Sequence, residues 1–554
     1  MSILYIYENI EDKKISDKSL GYTYSLNLGK IKSKNLISLN DTNRVHEIAL
    51  NQRDNYSEYI YSLNKHYLKH KLIYDKKLSL YFISDLSGKR TALFDTYISI
   101  CHIILLSEKL KNQEIHKIIF DGCNNAFVES LLSTYNNVNV KLLNIKNRKF
   151  SYYNNVIGQL LFFLKVFFKI IILKIIYRPR IINSDIPNLF LSRFPLHFDN
   201  EFKEEKYGDL VDENDCYLIS VITDGLHQNL TLSSFIKEIL VLNKINKRYI
   251  LLDSYISLFH IISSFFISIY YECTKQYLMN KSYYYSSINI SEFIKNEVTI
   301  SFVRIPRLHM YKSAILKIFN IHKITNFIYY LYEFTYGRYF TYLLSCYFNN
   351  INRIGFQHGL PSHRYLLCYL AKREPAYGKT NYFCNLPMPD SVLTENEFSK
   401  IIYKKAGYKN IQIMKKVPRL YYLDNVKRKT RDNYFILIAC GMHDYHYICN
   451  LLENEIDNNK KCIFIFKFHP KTKFSSTAAL IKNSKYKNIE IADKHISYYL
   501  SYVSEVIVTY SSVGYEAYLL GIPVKVICLP NRINESPLLD LPYSNDPKIE
   551  IIYS

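Results

Sequence analysis

The sequence predicts an α/β protein of two Rossmann-like domains, each built on a parallel sheet, with a helical insertion in the first. Three observations predict it. Runs of β-branched and aromatic residues without internal Gly or Pro, above all within 460–474 and 505–530, stop abruptly in small or polar residues, as buried parallel strands do where they open into loops. These runs alternate with stretches of helical length and apolar periodicity, the βαβ pattern of a doubly wound sheet. The chain has 554 residues, more than a single core accommodates, and 48% are hydrophobic. The expected division is 1–425 for the first domain, with helical insertions at about 152–180 and 254–348, and 426–554 for the second.

Composition narrows the partners. Lys plus Arg number 71 against 49 Asp plus Glu, a formal net charge of +22 that suits an anionic partner. Nucleic acid is not expected, because no zinc-finger spacing, RNP motif or basic repeat is present. Anionic phospholipid, phosphorylated glycolipid and nucleotide sugar remain. The 53 tyrosines beside a complete absence of Trp point to a coding bias, so tyrosine-rich stretches are not read as sugar-stacking signals. Eleven cysteines without a C-x-x-C pair, and no signal-peptide pattern at the start, lead us to expect reduced thiols in a cytoplasm.

Residues 1–75 are polar, with short strand-like pieces such as ILYIY, and carry no legible chemistry. LSLYFIS (78–84) reads as a strand, DLSGKRT (85–91) as a turn and the apolar-faced stretch after it as a helix. Strand KIIFDG (117–122), helix NAFVESLLSTY and strand NVKLLNI (139–145) follow. The turn places Asp85, Gly88, Lys89 and Arg90 after a strand, and it reads equally as a functional loop or as a helix cap. The stretch 152–180 is densely apolar but interrupted by Lys165, Lys169 and Lys174, neither a clean span nor a clean amphipathic helix. A membrane-surface segment with its lysines turned to anionic headgroups is one reading, and a helix buried between domains is the other.

IPNLFLSRF (186–194) and CYLISVITDG (216–225) read as strands. The uncharged stretch 254–271 has a stripe of Ser254, Ser257, His260, Ser264 and Ser268, so it reads as a core helix with one polar face and His260 as a hydrogen-bonded core histidine. A helix over 330–348 bears Glu333 and Arg338, and strand NRIGF ends in Gln357-His358-Gly359, where Gly359 is by itself an ordinary turn residue. Strand, helix and strand over 388–420 close the first domain at Pro418-Arg419.

The second domain opens with YFILIACG, ending at Gly441. IFIFKF, with Lys467, ends at His469-Pro470; KNIEIAD is a short strand and HISYYLSYVS a helix. EVIVTY ends at Ser511-Ser512, before a helix that contains Glu516, and PVKVICL is the next strand. Ligands of such sheets lie outside the carboxyl ends of the strands, where His469 and the serine pair both fall. Exposed N–H groups and the positive end of the helix behind Ser511 and Ser512 favour a phosphate, and a protonated His469 would meet a second oxygen or the charge on a leaving group.

These HP and SS pairs, in this order, resemble bacterial glycosyltransferases of two-Rossmann (GT-B) architecture that use cytidine nucleotides: sialic acid and polysialic acid transferases, Kdo transferases of capsule and lipopolysaccharide assembly, and more distantly teichoic-acid glycerophosphotransferases. The resemblance implies that His469, Pro470, Ser511 and Ser512 bind the CMP moiety, with Lys467, Arg419, Glu516 and Gly441 around it. The His358-Gly359 pair resembles the His-Gly that carries a catalytic histidine in teichoic-acid polymerases. Glu333 with Arg338, and the serine- and lysine-bearing turn at Asp85 to Lys89, resemble features of surface-carbohydrate biosynthesis proteins, which adds Gln357, Glu333, Arg338 and Lys89 as acceptor or structural support. The two-acid-plus-Gly motif of sialyltransferases is matched only in part, at Asp121-Gly122 and Asp224-Gly225, so Asp85 and His358 compete as the base. What this implies is an inverting, metal-independent transfer, without a cofactor, of a nonulosonic acid or Kdo from a CMP-sugar to a surface glycan or glycolipid at the inner face of the cytoplasmic membrane. Glycerol- or ribitol-phosphate transfer from a CDP-alditol, or a non-catalytic scaffold of a glycan-assembly complex, are the alternatives.

Overall fold

A computed structural model of the chain describes residues 2–8, 13–14, 21–26, 31–32, 36–75, 77–91, 93–135, 138–146, 156–179, 182, 185–199, 201–222, 230–245, 248–331, 334–357, 359–376, 382–429, 433–441, 444–468 and 488–553. Its architecture is α/β, and among these residues three parallel sheets dominate.

The first sheet is formed by β1 (Ser2–Tyr7), β2 (Gly21–Ser25), β3 (Leu36–Ser38), β4 (Ile115–Asp121) and β5 (Asn139–Leu143), in the order β3-β2-β1-β4-β5. Helices α1 (Thr42–Ser62), α2 (Thr96–Lys109) and α3 (Asn125–Leu132) belong to this unit, and α4 (Val156–Ile176) follows it. The second has the order β8-β7-β6-β9-β10-β11-β12, from β6 (Ile186–Arg193), β7 (Cys216–Ser220), β8 (Tyr249–Leu251), β9 (Ile324–Tyr330), β10 (Asn352–Phe356), β11 (Ser391–Thr394) and β12 (Ile411–Ile413). Its helices are α5 (Leu232–Leu242), α6 (Leu258–Thr274), α7 (Ser291–His309), α8 (Lys312–Ile321), α9 (Phe334–Tyr347) and α10 (Glu397–Lys405). The third has the order β15-β14-β13-β16-β17-β18, from β13 (Tyr434–Ala439), β14 (Cys462–Phe466), β15 (Ile489–Ile491), β16 (Glu505–Val508), β17 (Val524–Cys528) and β18 (Ile549–Tyr553), with α11 (Tyr445–Asn458), α12 (Ile496–Leu500) and α13 (Ser512–Leu519).

The third sheet falls in the stretch expected to form the second domain, and the first and second sheets both fall in the stretch expected to form the first. The strands expected at 117–122 and 139–145 belong to the first sheet and those at 186–194 and 216–225 to the second, so the sequence reading merged two sheets into one domain. In each sheet the chain lays its second and third strands on one side of the first and its fourth on the other, so a crevice opens at the carboxyl ends of the first and fourth strands. Strand alternation builds the layers: Ile436, Ile438, Phe464, Phe466 and Ile507 enter one core with Ile448 and Leu452 of α11, while Leu437, Ile465, Val506 and Val508 face a second core on the opposite side.

Three expectations are corrected. LSLYFIS is not a strand: Leu78–Ser79 pairs with Ile73–Tyr74 in a short hairpin, and Leu80–Ile83 is a 3₁₀ turn. All four residues of that turn are buried, and an unbroken apolar run does not distinguish a strand from a turn enclosed on every side. The stretch read as a helical insertion up to 348 contains β9, which pairs with β6 at the centre of the second sheet. Helix α6 has its polar stripe turned inward: Ser264 and Ser268 are buried, while Phe259, Ile262, Phe266 and Tyr270 are exposed. Small serines let α6 lie close to its neighbours α4 and α7, each hydroxyl returning to the preceding turn, as Ser264 does to the carbonyl of His260 at 2.6 Å. His260 itself is half-buried and stacks on His309 at 5.7 Å.

Candidate functional site at the carboxyl ends of the third sheet

The crevice of the third sheet lies between the ends of β13 and β16. Gly441, just beyond β13, donates its N–H to Thr509 Oγ1 at 3.0 Å, and a methyl group there would meet the ring of Tyr510 at 2.4 Å. Thr509 in turn donates to Asp444 Oδ2 at 2.7 Å, and Arg532, from the loop after β17, donates to Asp444 Oδ1 at 3.0 Å. Asp444 is fully buried, so Thr509 and Arg532 supply the partners its charge requires. The Arg532 side chain remains 40% exposed at the mouth of the crevice.

Ser511 has extended backbone and caps α13, accepting from the Val513 N–H at 3.4 Å. Ser512, the first helical residue, is exposed and donates to Glu516 Oε1 at 3.2 Å. The N–H groups of this first turn and the helix dipole give the crevice a positive end.

Glu516 looks the other way, toward the second sheet. It accepts from Tyr422 at 2.6 Å and from Arg419 at 3.5 Å, and Arg419 forms a fork on Glu395, with contacts of 2.5 and 2.6 Å. Glu395 follows β11, and its N–H donates to Gln357 Oε1 at 3.0 Å. A continuous chain of polar contacts thus runs from Gln357, at the end of β10, to Ser512. Arg419 and Glu516 are committed to this link between the second and third sheets. Lys467, beyond β14, donates to the Lys494 carbonyl at 2.5 Å, and its partial burial holds its ammonium below the usual lysine range. His469 and Pro470 lie outside the described residues, as do His358 and Glu333.

The remaining sequence-selected residues gather elsewhere. Asp85 opens a one-turn helix capped by Ser84 rather than ending a strand, and it is 3% exposed. Its N–H donates to Ser301 Oγ at 2.9 Å, its carboxylate pairs with Arg304 of α7, and Arg90 stands 3.9 Å away. Arg338 of α9 donates to Ser87 Oγ at 2.6 Å, and Lys89, with φ +49°, lies 3.8 Å from Glu374. Burial holds both Lys89 and Arg338 below their ordinary ranges. The Asp85 turn and the Arg338 helix, read apart in the sequence, therefore meet in one buried charged cluster. Asp444, Thr509, Arg532, Glu395 and Tyr422 escaped the sequence reading, since each sits in a loop or short turn without a motif.

No family model matches the chain, and no curated protein matches it. Among solved structures, a putative UDP-N-acetylglucosamine 2-epimerase from Listeria monocytogenes aligns at 9% identity over 62% of this chain and 79% of its own, with TM-score 0.33. The UDP-GlcNAc 2-epimerase from Neisseria meningitidis, bound to UDP-GlcNAc, aligns at 13% identity over 62% and 82%, with TM-score 0.31. The wall teichoic acid polymerase TagF with CDPG aligns at 11% identity over 71% and 87%, with TM-score 0.27. At these scores the likenesses do not bear on function.

Proposed function

We propose that the protein is an inverting glycosyltransferase that moves a nonulosonic acid or Kdo from a CMP-activated donor to a surface glycan or glycolipid. The observation that carries this reading is the crevice at the ends of β13 and β16, where Gly441 meets Thr509, the helix amino terminus with Ser511 and Ser512 follows β16, and the half-exposed Arg532 shares Asp444 with Thr509, at the switch point of a doubly wound sheet. In this reading the donor phosphate lies against Ser511 and Ser512, with Lys467 beyond the neighbouring strand β14, and His469, two residues further along the sequence, is the residue proposed to meet a second phosphate oxygen. An acceptor hydroxyl attacks the anomeric carbon, the bond from that carbon to the CMP oxygen breaks, its electron pair leaves with CMP, and the hydroxyl proton passes to a base. The pairing of Asp85 with Arg304 inside the protein supports His358, the residue after Gln357, as that base. The contact chain from Gln357 to Ser512 supports the same choice.

The protein works, in this proposal, at the inner face of the cytoplasmic membrane, held by α4 and α6. Helix α4 is long and apolar enough to cross a membrane by length and composition, with 39% of its apolar window buried. Lys169 turns inward to the Leu230 carbonyl at 2.8 Å, and burial brings its ammonium down to about 8, whereas Lys165 and Lys174 are exposed beside Leu161, Leu164 and Ile175.

Calorimetry with CMP, CDP, UDP and GDP tests the donor reading. Binding of CMP, weakened ten- to hundredfold in a Ser511→Ala, Ser512→Ala double variant by the loss of about 1.5–3 kcal/mol of contacts to phosphate, is the expected result. A preference for UDP, or CMP binding indifferent to both serines, overturns it. Release of CMP from a CDP-alditol but from no CMP-sugar moves the assignment to alditol-phosphate transfer.

A further inference from the structure

A polar cavity lies between the first sheet and the third. It measures about 550 Å³, within the range of roughly 300–1,000 Å³ usual for small-molecule sites. Glu8 follows β1 and Asn124 caps α3 after β4, so the cavity opens at the switch point of the first sheet. From the other side come Tyr510, next to the donor serines, and Arg532 and Glu535 of the loop after β17. Two carboxyl ends of parallel sheets therefore face each other across it, an arrangement that the two-domain reading does not include.

The first unit holds the third through this same loop. His102 of α2 donates from Nε2 to the Asn531 carbonyl at 3.2 Å, and Asn531, with φ +60°, turns the chain so that Arg532 points to Asp444. Thr91 donates to Glu535 at 2.6 Å. Among the described residues the lining carries the carboxyl groups of Glu8, Asp95 and Glu535 and the guanidinium of Arg532, one of whose nitrogens is already on Asp444. Carboxyl acceptors of this kind suit hydroxyl donors. Tyr510 is 52% exposed and presents a flat apolar ring beside these acceptors.

We propose that this cleft binds a neutral, hydroxyl-rich sugar chain, the acceptor of the transfer, with Tyr510 against a sugar ring and Asp95 and Glu535 accepting from its hydroxyls. The inference rests on the glycosyltransferase reading for the word acceptor, but the site stands on the cleft itself.

Full-length protein is applied to an array of neutral, sialylated and phosphorylated oligosaccharides, and CMP affinity is measured in parallel. Expected is binding to a set of neutral glycans that falls at least tenfold in Tyr510→Ala and in Asp95→Asn, with CMP affinity held within twofold in Asp95→Asn, whose residue lies away from the donor crevice, and melting temperatures close to that of the parent. Tyr510→Phe, which keeps the ring, retains binding. A silent array overturns the proposal, as does glycan binding unaffected by these changes, or loss of CMP affinity in step with glycan binding in Asp95→Asn, which would make the cleft a nucleotide site. Neutral-glycan binding that depends on Tyr510 in a protein that binds no CMP would instead sink the donor reading and leave the cleft a glycan site.

Discussion

Gly441 stands where any side chain would meet the far edge of Tyr510. Because that ring is half in solvent, it can swing aside, so Gly441→Ala is expected to change stability by less than about 1 kcal/mol while displacing Tyr510 and weakening ligand binding near it. A large fall in melting temperature with unchanged ligand affinity would contradict this. Arg419 is the opposite case. Its removal leaves Glu395 and Glu516, with side chains 3% and 8% exposed, without the cation they share. Breaking such a buried pair costs about 3–5 kcal/mol, which urea denaturation of Arg419→Ala should show; a loss under about 1 kcal/mol would mean that water fills the gap. Ser511 and Ser512 were legible in the sequence because a strand, a serine pair and a helix follow one another without interruption. Asp444, Thr509 and Arg532 were not, because they are 65 and 88 residues apart and only the strand order brings them together.

At the level of elements, strands buried on both faces were the most legible, since continuous apolar runs such as those of β13, β14 and β16 leave little alternative. The sense of a helix was less so. The serine stripe on α6 was recognised, but periodicity reports only that one face differs from the other, and packing turned the polar one inward. The result is a pair of adjacent helices whose outer surface carries Ile157, Leu161, Leu164 and Phe168 on α4 and Phe259, Ile262, Phe266 and Tyr270 on α6. So many large apolar side chains exposed on two adjacent helices suit an interaction surface. With Lys165 and Lys174 also exposed on α4, the occupant in the membrane reading proposed above is an anionic bilayer. Phe259→Asp with Phe266→Asp is therefore expected to abolish flotation with vesicles containing phosphatidylserine, yet to leave the melting temperature unchanged or higher, because both rings are exposed in the protein. Retained flotation would remove α6 from the membrane face, and extraction of the parent only by detergent would replace a peripheral α4 with a spanning one.

For the whole molecule, the first sheet was the least legible part, because its central strands are short and lie in a polar stretch whose burial is decided by partners more than 90 residues away: Tyr5 pairs with Ile119. Its docking onto the third sheet depends on two neutral histidines. His46 donates from Nδ1 to the Thr42 carbonyl at 2.7 Å and accepts the Asn534 N–H on Nε2 at 2.9 Å. His102 donates to the Asn531 carbonyl, so its Nδ1 accepts from Tyr24 at 2.6 Å. Burial brings both imidazoles down from 6.5 to about 4, and Arg364 adds to this at His46. Undocked, each would take a proton near 6.5; docked, neither does so until about 4. The docking free energy they contribute is thus complete above about pH 6.5 and is lost as the pH falls toward 4, on the order of 3 kcal/mol for each. Glu535 acts in the opposite sense: burial raises its carboxyl to about 7, against the pull of Thr91, so it gains stability from protonation as the pH falls from 7 toward 4.5. Two histidines against one carboxyl leave a net loosening in acid. Hydrogen exchange, corrected for its intrinsic pH dependence, should show amides of α1 and of residues 529–540 losing protection between pH 7 and 4.5, and losing it more steeply in Glu535→Gln, where the opposing group no longer titrates. Protection that stays constant or rises in acid would mean that these histidines do not hold the two sheets together.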